Sequence, residues 1–382
     1  MRNLDPGDAD FPDRLQFCEI FEFHTSNWRH TMKIKITKSA PGELSEHLLR
    51  WYDLNKRNLP WRTANPDPYQ VWLSEIMLQQ TTVATVISYF QDFLTRWPTV
   101  GDMAHAELDE ILHAWQGLGY YARARNLHKC AQMVADQHAG KFPSTEDELR
   151  ELPGIGPYTA AAISAIAFNQ ITAPVDGNIE RVISRLHAID EPVRQSKDRV
   201  QKLAARIVPA DRPGDFAQAL MDLGATICRP KSPKCDECPW PTSCLASRRG
   251  VAENYPVKLP KKPKPTRYGV AFWLKNKEGA VWVRKREPRG LLGGMIEIPS
   301  TEWREQAWAE TEVAEQAVLN VDWREHEGEV THTFTHFHLK IKVWSGVARS
   351  PTNAAGFWHP ADRFKELALP TLMKKIVSHA VK

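Results

Sequence analysis

The period of the hydrophobic positions changes along the chain. Leu44, Leu48, Leu49 and Tyr52 recur at helical spacing from Gly42 onward, and Leu59-Pro60-Trp61-Arg62 breaks that helix. Pro66 and Pro68 form the next loop and start a second helix carrying Val71, Trp72, Leu73, Ile76, Met77 and Leu78, with Pro68 suited to its first turn. Through Phe168 the pattern stays helical with short connections. Ser144 with Asp147 three residues on reads as a capping box for the helix leading into Leu152-Pro153-Gly154-Ile155-Gly156. Beyond residue 268 the texture becomes that of strands: Tyr268 to Phe272, Ala280 to Arg284, Met295 to Ile298, His332 to Val343 and Gly356 to His359, with a helix from Trp303 to Val318 between them. The expected fold is a mostly α region followed by an α+β domain.

Length and charge refine this outline. A chain of 382 residues exceeds one ordinary core and predicts more than one domain. Residues 1–31 hold six Asp and Glu against three Arg with no clear period, so they read as a disordered or non-native extension ahead of a start at Met32. Residues 32–245 form the helical region, 246–267 a linker, and 268–382 the α+β domain. A net charge of +4 makes no strong case for nucleic acid. The linker says more, because Arg248, Arg249, Lys258, Lys261, Lys262, Lys264 and Arg267 alternate with Pro256, Pro260, Pro263 and Pro265, giving a semi-rigid basic segment that can be a solubilising tether, a phosphate contact or both. No apolar run approaches the roughly 18–20 residues of a membrane helix, and no signal-peptide order opens the chain, so the expectation is a cytoplasmic protein.

Four stretches carry chemistry. Glu75 lies among apolar neighbours, where burial disfavours the ionised carboxyl and lets it keep a proton near neutrality. A Glu on a helix is more often an ordinary solvated residue, so context decides. Cys228, Cys235, Cys238 and Cys244 follow a C-x6-C-x2-C-x5-C spacing. Zinc sites favour two close pairs, whereas four thiolates in one uneven run suit an iron–sulfur cluster better. Arg229, Lys231 and Lys234 in that loop can meet phosphates. Gly154 and Gly156 stand between two helices, where a tight hairpin points backbone N–H groups at a phosphate; a plain interhelical turn is the bland reading. Finally, Asp176 and Asn178 precede a helical run, a common capping arrangement. A second carboxylate about a hundred residues after Glu75 also suits the paired acids of glycoside chemistry.

Together with Gly117-Leu118-Gly119-Tyr120-Tyr121-Ala122-Arg123-Ala124-Arg125, these motifs resemble the MutY-type adenine DNA glycosylases of the endonuclease III superfamily, from about Gly42 through the C-terminal domain. The resemblance implies a helix–hairpin–helix glycosylase fold. One lobe would span about 66–170, an iron–sulfur lobe would combine 32–65 with 171–245, and 268–382 would be a Nudix-like lesion-recognition domain. Gly290-Leu291-Leu292-Gly293-Gly294-Met295 resembles the Nudix turn, but no Arg-Glu-x-x-Glu-Glu run follows, so the domain should recognise rather than hydrolyse. Tyr158 stands where the bifunctional lyases of the superfamily carry their nucleophilic Lys, and a Tyr forms no Schiff base.

The implied substrate is adenine opposite 8-oxoguanine, or guanine, in double-stranded DNA, and the implied cofactor is a [4Fe–4S] cluster. The protein would act as a monomer on the bacterial nucleoid. By resemblance Glu75 is the acid, Asp176 stabilises the sugar cation, and Tyr158 and Asn178 position groups around it. Trp61 and Arg62 match the adenine pocket; Gln80 and Tyr120 fill the space in the helix; Thr81 and Leu118 lie near the lesion. Phe334, Thr335 and His336 match a Phe-Ser-His recognition loop, with Thr335 in place of Ser. The bland reading of that loop is an alternating strand with exposed histidines. The rivals are an endonuclease III-like pyrimidine glycosylase/lyase and a non-enzymatic iron–sulfur DNA-binding protein.

Overall fold

The computed structural model describes residues 40–260, 262–348 and 355–382; the acidic segment 1–31 and Cys18 lie outside them. Two apolar cores build the helical region. The first gathers Trp72, Phe90, Phe93, Trp115, Leu127 and Ile163 from helices between Pro68 and Phe168. The second joins Leu44, Leu48 and Tyr52 of the Pro41–Asn55 helix to Ile179, Ile183, Phe216, Leu220 and Trp240, so the start of the described chain packs against residues 173–240. Small side chains let these elements approach closely. Ala160, Ala161, Ala162 and Ala165 are buried in Pro157–Phe168, and a Cβ on Gly214 would meet the Ala165 carbonyl oxygen at 2.6 Å.

The cap before the hairpin falls one residue later than expected, and it is a simple hydroxyl cap rather than a capping box. Thr145 is the cap, its hydroxyl accepting from the Glu148 N–H at 3.3 Å and donating to the Glu148 carboxylate at 2.7 Å. The shift has a distant cause, because the Ser144 carbonyl is taken by the Ser164 hydroxyl at 2.8 Å. The basic stretch after Cys244 is also less of a tether than its composition suggests. Leu245–Arg248 is helical, and Ala246, Ala252 and Tyr255 are buried against Ala188.

A mixed sheet forms the C-terminal part. Its strands are β1 (Thr266–Lys275), β2 (Val281–Lys285), β3 (Ile296–Glu297), β4 (Arg324–Glu325), β5 (Val330–Thr333), β6 (His338–Val347) and β7 (Phe357–His359). The order is β3-β2-β1-β6-β4, with β5 on β6 and β7 on β2; β1 and β6 run parallel in register from Thr266↔His338 to Lys275↔Val347. Ala271 and Trp273 of β1 face a core completed by Leu372, Met373 and Ile376 of a final helix, Thr371–Ala380, while Val270 and Phe272 face Val313.

Two expectations change here. The expected helix Trp303–Val318 shrinks to Glu310–Gln316, because Arg304 and Ser300 are drawn into bridges with Tyr268 and Ala271. The run His332–Val343 is not one strand. It is a hairpin, β5 and β6, turning at Phe334–Phe337. The two parts meet through side chains: Met295 is buried in the first helical core, Lys285 pairs with Asp109 at 2.6 Å, and Arg125 donates to the Gly293 carbonyl.

Candidate active site

Glu75 stands at the centre of the Pro68–Leu78 helix, which is apolar on nearly every side and buries Tyr69 and Val71 through Met77. Loss of water penalises its ionised form, and the Asp176 charge adds to that. The Tyr158 hydroxyl and the Arg62 charge act in the opposite sense, and the carboxyl settles at about 7 rather than 4.5. A group so poised can both give and take a proton at neutral pH. Tyr158 comes from the first turn of Pro157–Phe168, beyond the Gly156 cap. Burial first, then the charges of Glu75 and Asp176, hold its phenol well above 10, so it stays a neutral donor.

Asp176 caps the Gly177–Leu186 helix, as the bland reading foresaw. One carboxylate oxygen accepts from the backbone N–H groups of Asn178 and Ile179 at 2.9 and 2.7 Å, and the other accepts from the Asn178 side-chain amide at 2.9 Å. These donors fix the direction of the carboxylate, so capping and placement are one arrangement. Glu75, Tyr158, Asp176 and Asn178 line one cavity of about 600 Å³, together with Gln80 and Thr81. That volume suits a nucleoside-sized guest. An adjoining narrow cavity also includes Glu75 and is bounded by Arg57, Trp61 and Arg62.

The other expected residues are distributed as follows. Trp61 is buried edge-on against Phe90. Arg62 is held by Asp222 through two bonds of 2.6 and 2.8 Å. Leu118 is buried in the first core, whereas Tyr120 is 51% exposed on left-handed backbone at φ 49°. Gly154 also has positive φ, and a Cβ there would lie 2.8 Å from the Asn126 Cβ, so the hairpin requires glycine. In the β5–β6 turn Phe334 stacks on Trp303, while Thr335 and His336 are exposed. The Thr335 and Tyr120 hydroxyls lie 2.7 Å apart.

Sequence reasoning missed several supporting residues. Asp222 is fully buried, and Arg57 joins Arg62 on it at 2.6 Å. Arg123 donates to the Ile76 and Met77 carbonyls at the end of the Glu75 helix and to Leu118 and Gly119, and burial brings its pKa down to about 10. Arg181 reaches from the Asn178 side-chain oxygen at 2.9 Å to the carbonyls of Gly224 and Cys228, each at 2.7 Å. The sequence carried little signal, since Arg181 and Arg185 lie one turn apart in an amphipathic helix that also holds Asn178, Glu180 and Ser184.

The four cysteines line a common small cavity with Arg185 and Trp240. Among the described residues no group of His, Cys, Asp and Glu is arranged to hold a single metal ion. Two donors reach the sulfurs: Arg185 donates to the Cys228 sulfur at 3.3 Å and the Trp240 backbone N–H to the Cys238 sulfur at 3.5 Å. Burial chiefly, with repulsion from the other three sulfurs, pushes the Cys238 thiol up to about 12 despite the Trp240 bond.

Residues 73–210 match the family described as HhH-GPD superfamily base excision DNA repair protein, and residues 270–379 match the NUDIX domain. The chain is 35% identical to the human adenine DNA glycosylase, covering 86% of this chain and 72% of that protein. It is 32% identical to the adenine DNA glycosylase of Buchnera aphidicola (strain APS), covering 88% and 97%. Among solved structures, a thermostable thymine-DNA glycosylase superposes with a TM-score of 0.50 at 29% identity, covering 55% of this chain and 97% of that one.

Proposed function

Because the chain belongs to the adenine DNA glycosylase family, we propose that it excises adenine lying opposite 8-oxoguanine in duplex DNA and leaves the strand uncut. It is a DNA repair glycosylase, an enzyme acting on N-glycosyl bonds. The observation that carries the finer reading is a carboxyl poised at about 7 in one cavity with Tyr158, Asp176 and Asn178.

The mechanism follows from those groups. Adenine leaves the stack, at a cost of a few kcal/mol that a lesion pair lowers, and enters the cavity. Protonated Glu75 donates to N7, so the base departs neutral as the glycosidic electron pair moves onto it. Asp176, held by its three N–H donors, faces the cation left on the sugar. Glu75, now ionised, accepts a proton from the attacking water. Tyr158 orients Glu75 by hydrogen bond and supplies no amine, so no imine forms with the abasic product. Tyr120 and Gln80 would fill the vacated space, and Phe334, Thr335 and His336 would contact 8-oxoguanine.

The test is excision from duplexes holding adenine opposite 8-oxoguanine, adenine opposite guanine, or thymine glycol, developed with and without alkali. Adenine release that becomes a strand break only after alkali is expected. Cleavage at thymine glycol, or an adduct trapped by borohydride, would instead mark a pyrimidine glycosylase/lyase.

Cys228, Cys235, Cys238 and Cys244 would hold a [4Fe–4S] cluster, a role supported by their shared cavity and their N–H donors. Bound there, the cluster would pin the loop bearing Arg229, Lys231 and Lys234 against DNA phosphates. Purified protein should be brown and contain iron and sulfide in equal amounts. Cys238→Ser should lose colour, iron and thermal stability together, and stoichiometric zinc in the colourless wild type would overturn the assignment.

A further inference from the structure

The turn between β5 and β6 carries Thr335 and His336 at its apex, both exposed. It contains neither glycine nor proline, so backbone preference does not dictate its shape. Its base is closed by the Phe334 N–H on the Phe337 carbonyl at 2.9 Å. The rest of its shape is set by a ring from another part of the chain. The Trp303 indole stacks on Phe334, with ring centres 5.7 Å apart and planes 24° from parallel, and it reaches Phe337 at 6.4 Å.

Trp303 is itself fixed from several sides. Its neighbours Ser300 and Arg304 bridge to Ala271 and Tyr268 of β1, and the Thr301 hydroxyl between them accepts from the Val270 N–H at 3.0 Å. The indole N–H donates to the Ser300 hydroxyl at 3.3 Å. The Arg286 guanidinium lies over the indole at 5.5 Å, itself anchored by the buried Glu297. Gly269 of β1 makes room for the ring, since a Cβ there would lie 2.8 Å from the indole Cδ1. Yet Trp303 is only half-buried, whereas Trp273 of the same strand pair is fully buried. Removing a half-exposed ring uncovers less core than removing a buried one, so the main loss would fall on the turn that it supports.

We propose that Trp303 is a positioning residue for lesion discrimination, holding Phe334 so that Thr335 and His336 meet the opposing base at one height and angle. The inference rests on the reading above that this turn contacts 8-oxoguanine. That base differs from guanine only by the C8 oxygen and the N7 hydrogen, so the contact that separates them is a hydrogen bond, and a turn displaced by about 1 Å loses it. Trp303 touches neither base nor sugar in this scheme and acts through Phe334.

The experiment measures single-turnover adenine excision opposite 8-oxoguanine and opposite guanine for the full-length wild type, Trp303→Leu, Trp303→Phe and Gly269→Ala. The last adds one methyl against the indole and leaves Trp303 in place, so it decides the matter should Trp303→Leu fail to fold. Trp303→Leu should lose about tenfold opposite 8-oxoguanine and stay within about twofold of wild type opposite guanine. Gly269→Ala should shift the ratio of the two rates in the same direction, and Trp303→Phe, which keeps a stacking ring, should restore it. A wild-type ratio in Trp303→Leu, equal losses on both duplexes, or a Trp303→Phe that falls as far as Trp303→Leu overturns the proposal. Wild-type protein that excises adenine equally from both duplexes overturns the underlying reading, and the proposal with it.

Discussion

Glu75→Gln should bind an adenine·8-oxoguanine duplex as wild type does and excise adenine slower by roughly two to four orders of magnitude in single-turnover assays. Gln fills the same space but has no proton to give. Turnover within tenfold of wild type would remove Glu75 from the acid role. The pH profile sharpens the test. With a carboxyl at about 7, the donor form is lost as pH rises through that value, so wild-type excision should fall on the alkaline side. The residual rate of the variant should lack that limb.

Wild-type stability should fall with rising pH as well. The folded carboxyl holds its proton more tightly than the unfolded one, 4.5 becoming about 7, so the fold loses stability as pH climbs between those values. Above about 7 the ionised, desolvated carboxylate costs the fold roughly 3 kcal/mol, which Gln would not incur. Glu75→Gln should therefore raise the melting temperature at pH 8 and leave it unchanged near pH 4.

Asp222→Asn should show the second large effect, a loss of about 3–5 kcal/mol in urea unfolding at pH 7. The carboxylate is wholly buried and faces two guanidiniums, which Asn would leave without a counter-charge. Burial alone would raise the Asp222 pKa. The Arg62 bond and charge, then Arg57, win and hold it below the ordinary 3.8. The contribution of this group is thus complete above about pH 4 and fades only as pH falls through its lowered value. A variant within about 1 kcal/mol of wild type would mean that Arg57 and Arg62 find other partners.

How much of this could be read from the chain depended on how local each signal was. The setting of Glu75 was written in its own helix, since Val71, Trp72, Leu73, Ile76 and Met77 leave almost no polar face. Asp176 was visible as a cap because capping is decided within three residues. Asp222 gave no such sign: its partners lie 160 and 165 residues away. Arg181 and Arg185 looked like ordinary helix cations, and their carbonyl partners at Gly224–Pro230 and Tyr255 arrive from far down the chain.

The same contrast separates the two ends of the fold. Helices of the first core announced themselves by period, while the Phe334–Phe337 turn contains neither glycine nor proline and is marked only by a one-residue shift of the alternation, from Val330 and Phe334 to Phe337, Leu339 and Ile341. Its bend is imposed from afar by Trp303 stacked on Phe334 and Lys264 bonded to the Phe334 carbonyl. The capping box erred by one residue for a like reason, a hydroxyl twenty positions on.

The partnership of Pro41–Asn55 with residues far down the chain also bears on synthesis. Trp240 closes over this helix, its indole N–H on the Leu44 carbonyl at 2.9 Å across 196 positions, and Arg57 waits 165 positions for Asp222. On the ribosome the Pro68–Phe168 helices can collapse while the first helix still lacks its neighbours. The lobe holding Asp176 can close only after Trp240 has emerged. Until then the cover over Leu44, Leu48 and Tyr52 is incomplete, so translation pauses before that point would prolong the interval in which nascent chains can aggregate.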